Sequence, residues 1–290
     1  MCDELTAADN DRFLATTGGI SRRAFGAGTA AAGLMALLPR AANAMPVKGR
    51  DVTITTPDGV CDAYFVAPAR GKHPGVLVWP DIGGLRPAFR QMADRLAESG
   101  YAVLTVNPFY RSAKPPYTKE GEAPDAPEIR SRAMEYRKLL TPDATIGDAT
   151  AFIKFIDAQK ETDRKRGIGT TGYCMGGPLV MRTAAAVNGR VRAGGSFHGG
   201  GLVTPNPDSP HLLVPQMKGR YLFAVAENDD QRAPQDKETL RAAFVAAKVP
   251  AEIEVYAGAN HGWCPPDSRV YNQAQAEKAW ARLLATFSTL

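Results

Sequence analysis

Strands alternating with helices predict an α/β fold: a mostly parallel central sheet with helices on both faces and an antiparallel hairpin at its start. Three observations carry that prediction. Gly75–Trp79 and Tyr101–Val106 are short apolar runs of the kind buried on both faces of a sheet. Apolar residues then return at helical spacing, first as Phe89, Met92, Ala93 and Leu96. Pro57-Asp58-Gly59 separates two alternating segments, Val52–Thr55 and Ala63–Val66, as a hairpin turn does.

The remaining elements follow in order. Gly100 ends the first helix. Residues 111–128, rich in Pro, Lys, Glu and Asp, read as a surface excursion that shapes a binding site. Helices are expected near 129–140 and 143–159, the second with Ile146, Ala149, Phe152, Ile153 and Ile156 on its buried face. Gly167–Tyr173 is a strand and Pro178–Val187 a helix. Val191–Phe197 and Tyr221–Ala226 are strands. Leu240, Phe244 and Ala247 mark a helix, Glu252–Tyr256 a strand, and Ala274–Phe287 a closing helix. No internal repeat interrupts the pattern, so residues 45–290 read as one domain.

The formal net charge is +5, with basic residues scattered among acids, which argues against a nucleic-acid partner. No apolar run suits a stable membrane span. Residues 1–44 read as an export signal. Ser21-Arg22-Arg23-Ala24-Phe25 carries a twin-arginine pair, Gly26–Leu38 is small and apolar, and Ala42-Asn43-Ala44 offers a cleavage site before Met45. The expected partner is the twin-arginine export machinery, and the expected location is the bacterial periplasm or the outside of the cell. Cys2 leaves with such a signal, while Cys61, Cys174 and Cys264 remain. No C-x-x-C spacing supports a zinc or dithiol site.

The sharpest motif is Gly172-Tyr173-Cys174-Met175-Gly176-Gly177, between a strand and a helix. That is the context of a nucleophile elbow, whose tight turn demands small residues two before and two after the nucleophile. Gly172 and Gly176 meet the demand. Cys174 sits at a helix N-terminus, which favours its thiolate. The fold is therefore expected to be of α/β-hydrolase type, with partners in the order nucleophile, acid, base. His261 follows the strand ending at Tyr256 and is the expected base. Asp229 is favoured over Asp230 as the acid after strand Tyr221–Ala226. The backbone N–H groups of Met175 and Ile82 are the expected oxyanion donors. His198-Gly199-Gly200-Gly201 is similar to a lipase oxyanion tetrapeptide, but it follows the elbow instead of preceding it.

These residues resemble the dienelactone hydrolase family over nearly the whole of residues 45–290. The resemblance implies that Asp81, in the loop after Gly75–Trp79, contacts the resting thiol, although the family residue is usually Glu. It implies that Ile82, Cys174, Asp229 and His261 hold the family's positions. Dienelactone-specific members also grip a substrate carboxylate with two arginines. Arg130 matches the first; the second would fall where this chain has Trp263-Cys264-Pro265-Pro266, and the nearest arginine is Arg269. Tyr110 and Trp263 suggest aromatic walls. The expected function is cleavage of a small ester or lactone substrate through a Cys-His-Asp triad and a thioester, without metal or organic cofactor. A non-hydrolytic binding protein and a redox-sensing thiol protein are the alternatives.

Overall fold

The computed structural model describes residues 4–17, 38–39, 44–118 and 126–290. The twin arginines and most of the apolar stretch and cleavage site of the expected signal lie outside them, as do residues 119–125 of the expected excursion. Helix α1 (Glu4–Thr17) lies within the stretch read as a signal and has no counterpart in the pattern above.

The hairpin forms as expected from β1 (Val47–Thr56) and β2 (Gly59–Pro68), paired antiparallel around Pro57-Asp58. Next come β3 (Gly75–Trp79), α2 (Pro87–Glu98) and β4 (Ala102–Val106), then α3 (Pro127–Arg137) and α4 (Pro142–Ala158). The elbow joins β5 (Ile168–Tyr173) to α5 (Gly176–Ala186), followed by β6 (Val191–Phe197) and β7 (Arg220–Ala226). A short helix α6 (Glu227–Arg232), α7 (Asp236–Ala247), β8 (Ala251–Tyr256) and α8 (Gln273–Phe287) complete the chain.

The strands form an 8-stranded sheet in the order β1-β2-β4-β3-β5-β6-β7-β8. All pairs from β4 to β8 are parallel, and β2 joins β4 antiparallel. Two apolar layers sandwich it. On one face Phe152, Ile153 and Ile156 of α4 pack with Leu179, Val180 and Ala184 of α5 and Phe244 of α7. On the other, Phe89, Met92 and Leu96 of α2 meet Leu283 and Phe287 of α8. Each of the larger side chains among these, fully buried, contributes about 1.5–3 kcal/mol. The strands β3, β4 and β5 are buried at every position, which explains their apolar or small character.

One packing expectation needs correction. Ile146 is exposed, and the buried face of α4 runs through Thr145, Asp148, Ala149, Phe152, Ile153 and Ile156. The face is shifted because Asp148 has local partners that a charge needs when buried: Tyr110 Oη donates to it at 2.6 Å and Arg111 pairs with both its oxygens. Tyr110 is thus part of the support under α4, and it is not a wall of the functional cleft.

Candidate active site

β5 delivers Cys174 to the carboxyl ends of the strands, where open α/β sheets place their ligands. The residue adopts φ +54, a left-handed conformation that costs a non-glycine residue about 1–2 kcal/mol. The neighbourhood holds it there. The Cys174 N–H donates to Phe197 O at 3.0 Å, and the Gly177 N–H donates to Cys174 O at 3.0 Å. A Cβ on Gly172 would lie 2.1 Å from Gly176 O, and one on Gly176 would lie 2.4 Å from Trp79 O. Only glycine allows backbone to approach backbone that closely.

The Cys174 side chain is buried, and its sulfur is engaged in a disulfide in this structure. Cys61 and Cys264 are free and buried. Burial pushes both free thiols far above the ordinary cysteine range. They behave as small core residues.

His261 and Asp229 are brought together. His261 Nδ1 and Asp229 Oδ2 are 2.6 Å apart, a charge-assisted length. Asp230 turns away and accepts from Lys237 Nζ at 2.6 Å. The phase of α6 separates the two neighbouring acids. The other oxygen of Asp229 lies 3.8 Å from Arg232 Nη1. Asn228, which the sequence pattern did not mark, fixes the histidine loop by accepting from the His261 N–H at 2.8 Å. Glu227 stitches the same loop by accepting from the Gly258 N–H at 3.0 Å.

Cys174 and His261 open onto one cleft, whose lining also includes Asp81, Ile82, Arg86, Arg130 and Arg269. Ile82 and Met175 pack with Cys174 and Phe109. Among the described residues neither the Ile82 nor the Met175 N–H has a hydrogen-bond partner. Phe109, Tyr117 and Tyr136 form an aromatic cluster beside them, with ring centroids 5.5–6.1 Å apart. Tyr117 Oη donates to Ile82 O at 3.1 Å, and burial raises its phenol to about 12. Trp263, expected as an aromatic wall, is fully buried and absent from the lining. Gly262 (φ +100) turns the chain so that the indole stacks on Tyr256 at 5.2 Å.

His198 also lines the cleft and directly follows β6 at φ +39. Its ring sits 5.0 Å from that of His261, and neither ring nitrogen has a hydrogen-bond partner among the described residues. Burial first, and the nearby His261 second, hold its protonation well below the usual histidine range. The folded state therefore keeps it neutral, while the unfolded chain takes up a proton below about pH 6.5. The stability this linkage supplies is complete above that pH and is lost as pH falls. The slope approaches about 1.4 kcal/mol per pH unit. His198→Phe should remove that slope in urea unfolding at pH 7, 6 and 5. An unchanged slope in the variant would assign it to another group.

The dienelactone hydrolase family profile matches residues 61–290. The chain belongs to the dienelactone hydrolase family. It is 27% identical to a Synechocystis sp. relative over 248 residues, covering 84% of this chain and 97% of the relative. It is 25% identical to the carboxymethylenebutenolidase of Pseudomonas putida over 236 residues, covering 80% and 93%. Among solved structures, a dienelactone hydrolase-like promiscuous phosphotriesterase from metagenomic libraries superposes with a TM-score of 0.67 at 21% identity, over 83% of this chain and 98% of that one. A dienelactone hydrolase from Anabaena variabilis gives 0.61 at 16%, over 84% and 99%. These two likenesses bear on the fold, which is that of the α/β-hydrolases, and the family makes the chain a hydrolase.

Against the dienelactone hydrolase pattern, two features stand out. Asp81, expected to face the thiol, is held by Arg86 Nη1 at 2.5 Å and Nη2 at 3.0 Å and by the Gly83 N–H at 2.7 Å. Arg86 in turn grips Asp267 through Nε at 2.6 Å and Nη2 at 2.9 Å. Burial alone would lower Arg86, but the two carboxylates outweigh it and hold its proton well above the ordinary range. The shorter Asp suits this bridge, which ties the loop after β3 to the loop after His261. The second feature concerns cations: Arg130 and Arg269 reach the same cleft from α3 and from that last loop. Among the described residues no group of side chains is arranged to hold a metal ion, and no helix is long and apolar enough to cross a membrane.

Proposed function

We propose that this hydrolase cleaves a small ester or lactone bearing a carboxylate, with Cys174 as nucleophile, His261 as general base and acid, and Asp229 as the residue that orients His261. The observation that carries the reading is the conjunction of a left-handed Cys174 at a strand–helix turn with a His261–Asp229 pair on the same cleft. In the reduced enzyme the thiolate adds to the carbonyl carbon. The N–H groups of Met175 and Ile82 receive the oxyanion. His261 protonates the departing oxygen, leaving an acyl thioester, and then takes a proton from the water that cleaves it. Arg130 and Arg269 supply the guanidinium groups that suit a substrate carboxylate. Residues 1–44 direct export by the twin-arginine route, and the protein works in the periplasm or outside the cell.

The experiment is a panel of activated esters and lactones, with and without a carboxylate, given in the presence of reductant to protein recovered from the periplasm. That protein should begin at Met45. Cys174→Ala should abolish turnover, and the carboxylate-bearing members should be preferred. Undiminished turnover by the variant would remove Cys174 from the chemistry.

A further inference from the structure

Helix α1 lies across the mouth of the cleft. Thr6, Ala7 and Asn10 line it together with Cys174 and His261. Asn10 Nδ2 donates to the carbonyl oxygen of His261 at 3.1 Å, and Asn260 Nδ2 donates to Asn10 Oδ1 at 3.3 Å. Acid–arginine pairs stand to either side. Asp9 pairs with Arg232, which also donates to Thr6 Oγ1 at 3.3 Å. Asp11 Oδ1 pairs with Arg269 Nη1 at 3.0 Å. The rim thus presents two guanidinium groups and an amide, and α1 answers with two carboxylates and an amide.

We infer that the rim formed by Arg232, Asn260 and Arg269 is a docking surface for an acidic helix, and that residues 4–17 of this chain occupy it and close the cleft to substrate. The inference rests on the reading of that cleft as a hydrolase site. Three physical points support it. Asn10 bonds the backbone of His261 itself, so docking covers the base. Asp11 places a carboxylate on Arg269, one of the two arginines assigned above to the substrate carboxylate, so helix and substrate compete for the same group. The helix also precedes Ala44, and β1 begins only at Val47. Cleavage after Ala44 would detach the helix and leave the sheet whole.

The disulfide of Cys174 must be kept apart from this non-covalent closure. Every protein is therefore first reduced with dithiothreitol, which is oxidised as it returns the disulfide to two thiols, and is then desalted under argon so that no free thiol competes for iodoacetamide or attacks the ester. The full-length chain is compared with its Asp9→Lys, Asn10→Ala, Asp11→Lys variant. One readout is kcat/KM on p-nitrophenyl acetate. The other is the rate of Cys174 alkylation by iodoacetamide, followed on the Cys174 peptide by mass spectrometry. The buried Cys61 and Cys264 serve as slow internal references. Both rates should rise by about tenfold in the variant, with an unchanged thermal unfolding curve. If alkylation accelerates but neither chain hydrolyses the ester, closure stands and the hydrolase reading fails. Equal alkylation rates overturn the closure.

A second arm does not depend on the substitutions. A protease site placed between residues 18 and 37 is cut after purification. Cutting followed by gel filtration should raise both rates, and a synthetic peptide of residues 4–17 should lower them again. A cut protein freed of the segment that reacts no faster than the uncut chain also overturns the proposal.

Discussion

Asp229→Asn should lower kcat by about a thousand- to ten-thousand-fold, the loss seen when the acid of a serine-type triad becomes an amide. The carboxylate accepts from His261 Nδ1 at 2.6 Å, which leaves Nε2 unprotonated and able to take a proton. An amide can present its NH2 instead. The imidazole then accepts at Nδ1, carries its proton at Nε2, and can no longer act as base. An amide would also fail to stabilise the imidazolium that the proposed mechanism forms when the thiol gives up its proton. Asp230→Asn is the control, because that carboxylate pairs with Lys237; it should change kcat by no more than about twofold, as surface ion pairs are worth little. Steady-state kinetics on one ester, with circular dichroism to confirm the fold, decides between the two. A loss carried by Asp230→Asn instead would exchange their roles.

Arg86→Ala should cost about 3 kcal/mol of stability in urea unfolding. The guanidinium is bidentate to Asp81 and shared with Asp267, and its side chain is only 16% exposed. Removing it leaves two mostly buried carboxylates facing each other without a cation. Arg86→Lys should recover only part of the loss, since one ammonium cannot reproduce a planar fork between two carboxylates. The same variants should raise KM, because the bridge fixes the loops that carry Ile82 and Arg269. An Arg86→Ala protein as stable as the parent would show that the carboxylates find solvent or other partners on relaxing.

Much of this molecule is legible in its sequence because the deciding interactions are local. The segments read as strands at Gly75–Trp79 and Val191–Phe197 coincide with the observed β3 and β6. The elbow is readable because its glycines, cysteine and helix start fall within six consecutive residues. What escaped the pattern is set by contacts remote in sequence. Arg86 and Asp267 are 181 residues apart, and α1 meets its arginines across more than 220 residues. Asp229 and Asp230 are adjacent, so only the phase of a six-residue helix tells them apart. Trp263 next to the histidine loop suggested a wall, but the left-handed Gly262 sends the ring into the core. Ile146 lay on the expected stripe of α4 until a buried, hydrogen-bonded Asp148 shifted that stripe.

Cys174 and His198 directly follow neighbouring strands, both in a backbone conformation that suits glycine better than any residue with a Cβ. Both residues line the cleft, and the chain would fold more comfortably with glycine at either place. Directed evolution for heat resistance alone would be expected to drift toward glycine at both positions, and at Cys174 it would remove the proposed nucleophile on the way. Any campaign to toughen this protein has to score turnover in every round, and its gains should be sought in the layers of helices away from the ends of β5 and β6.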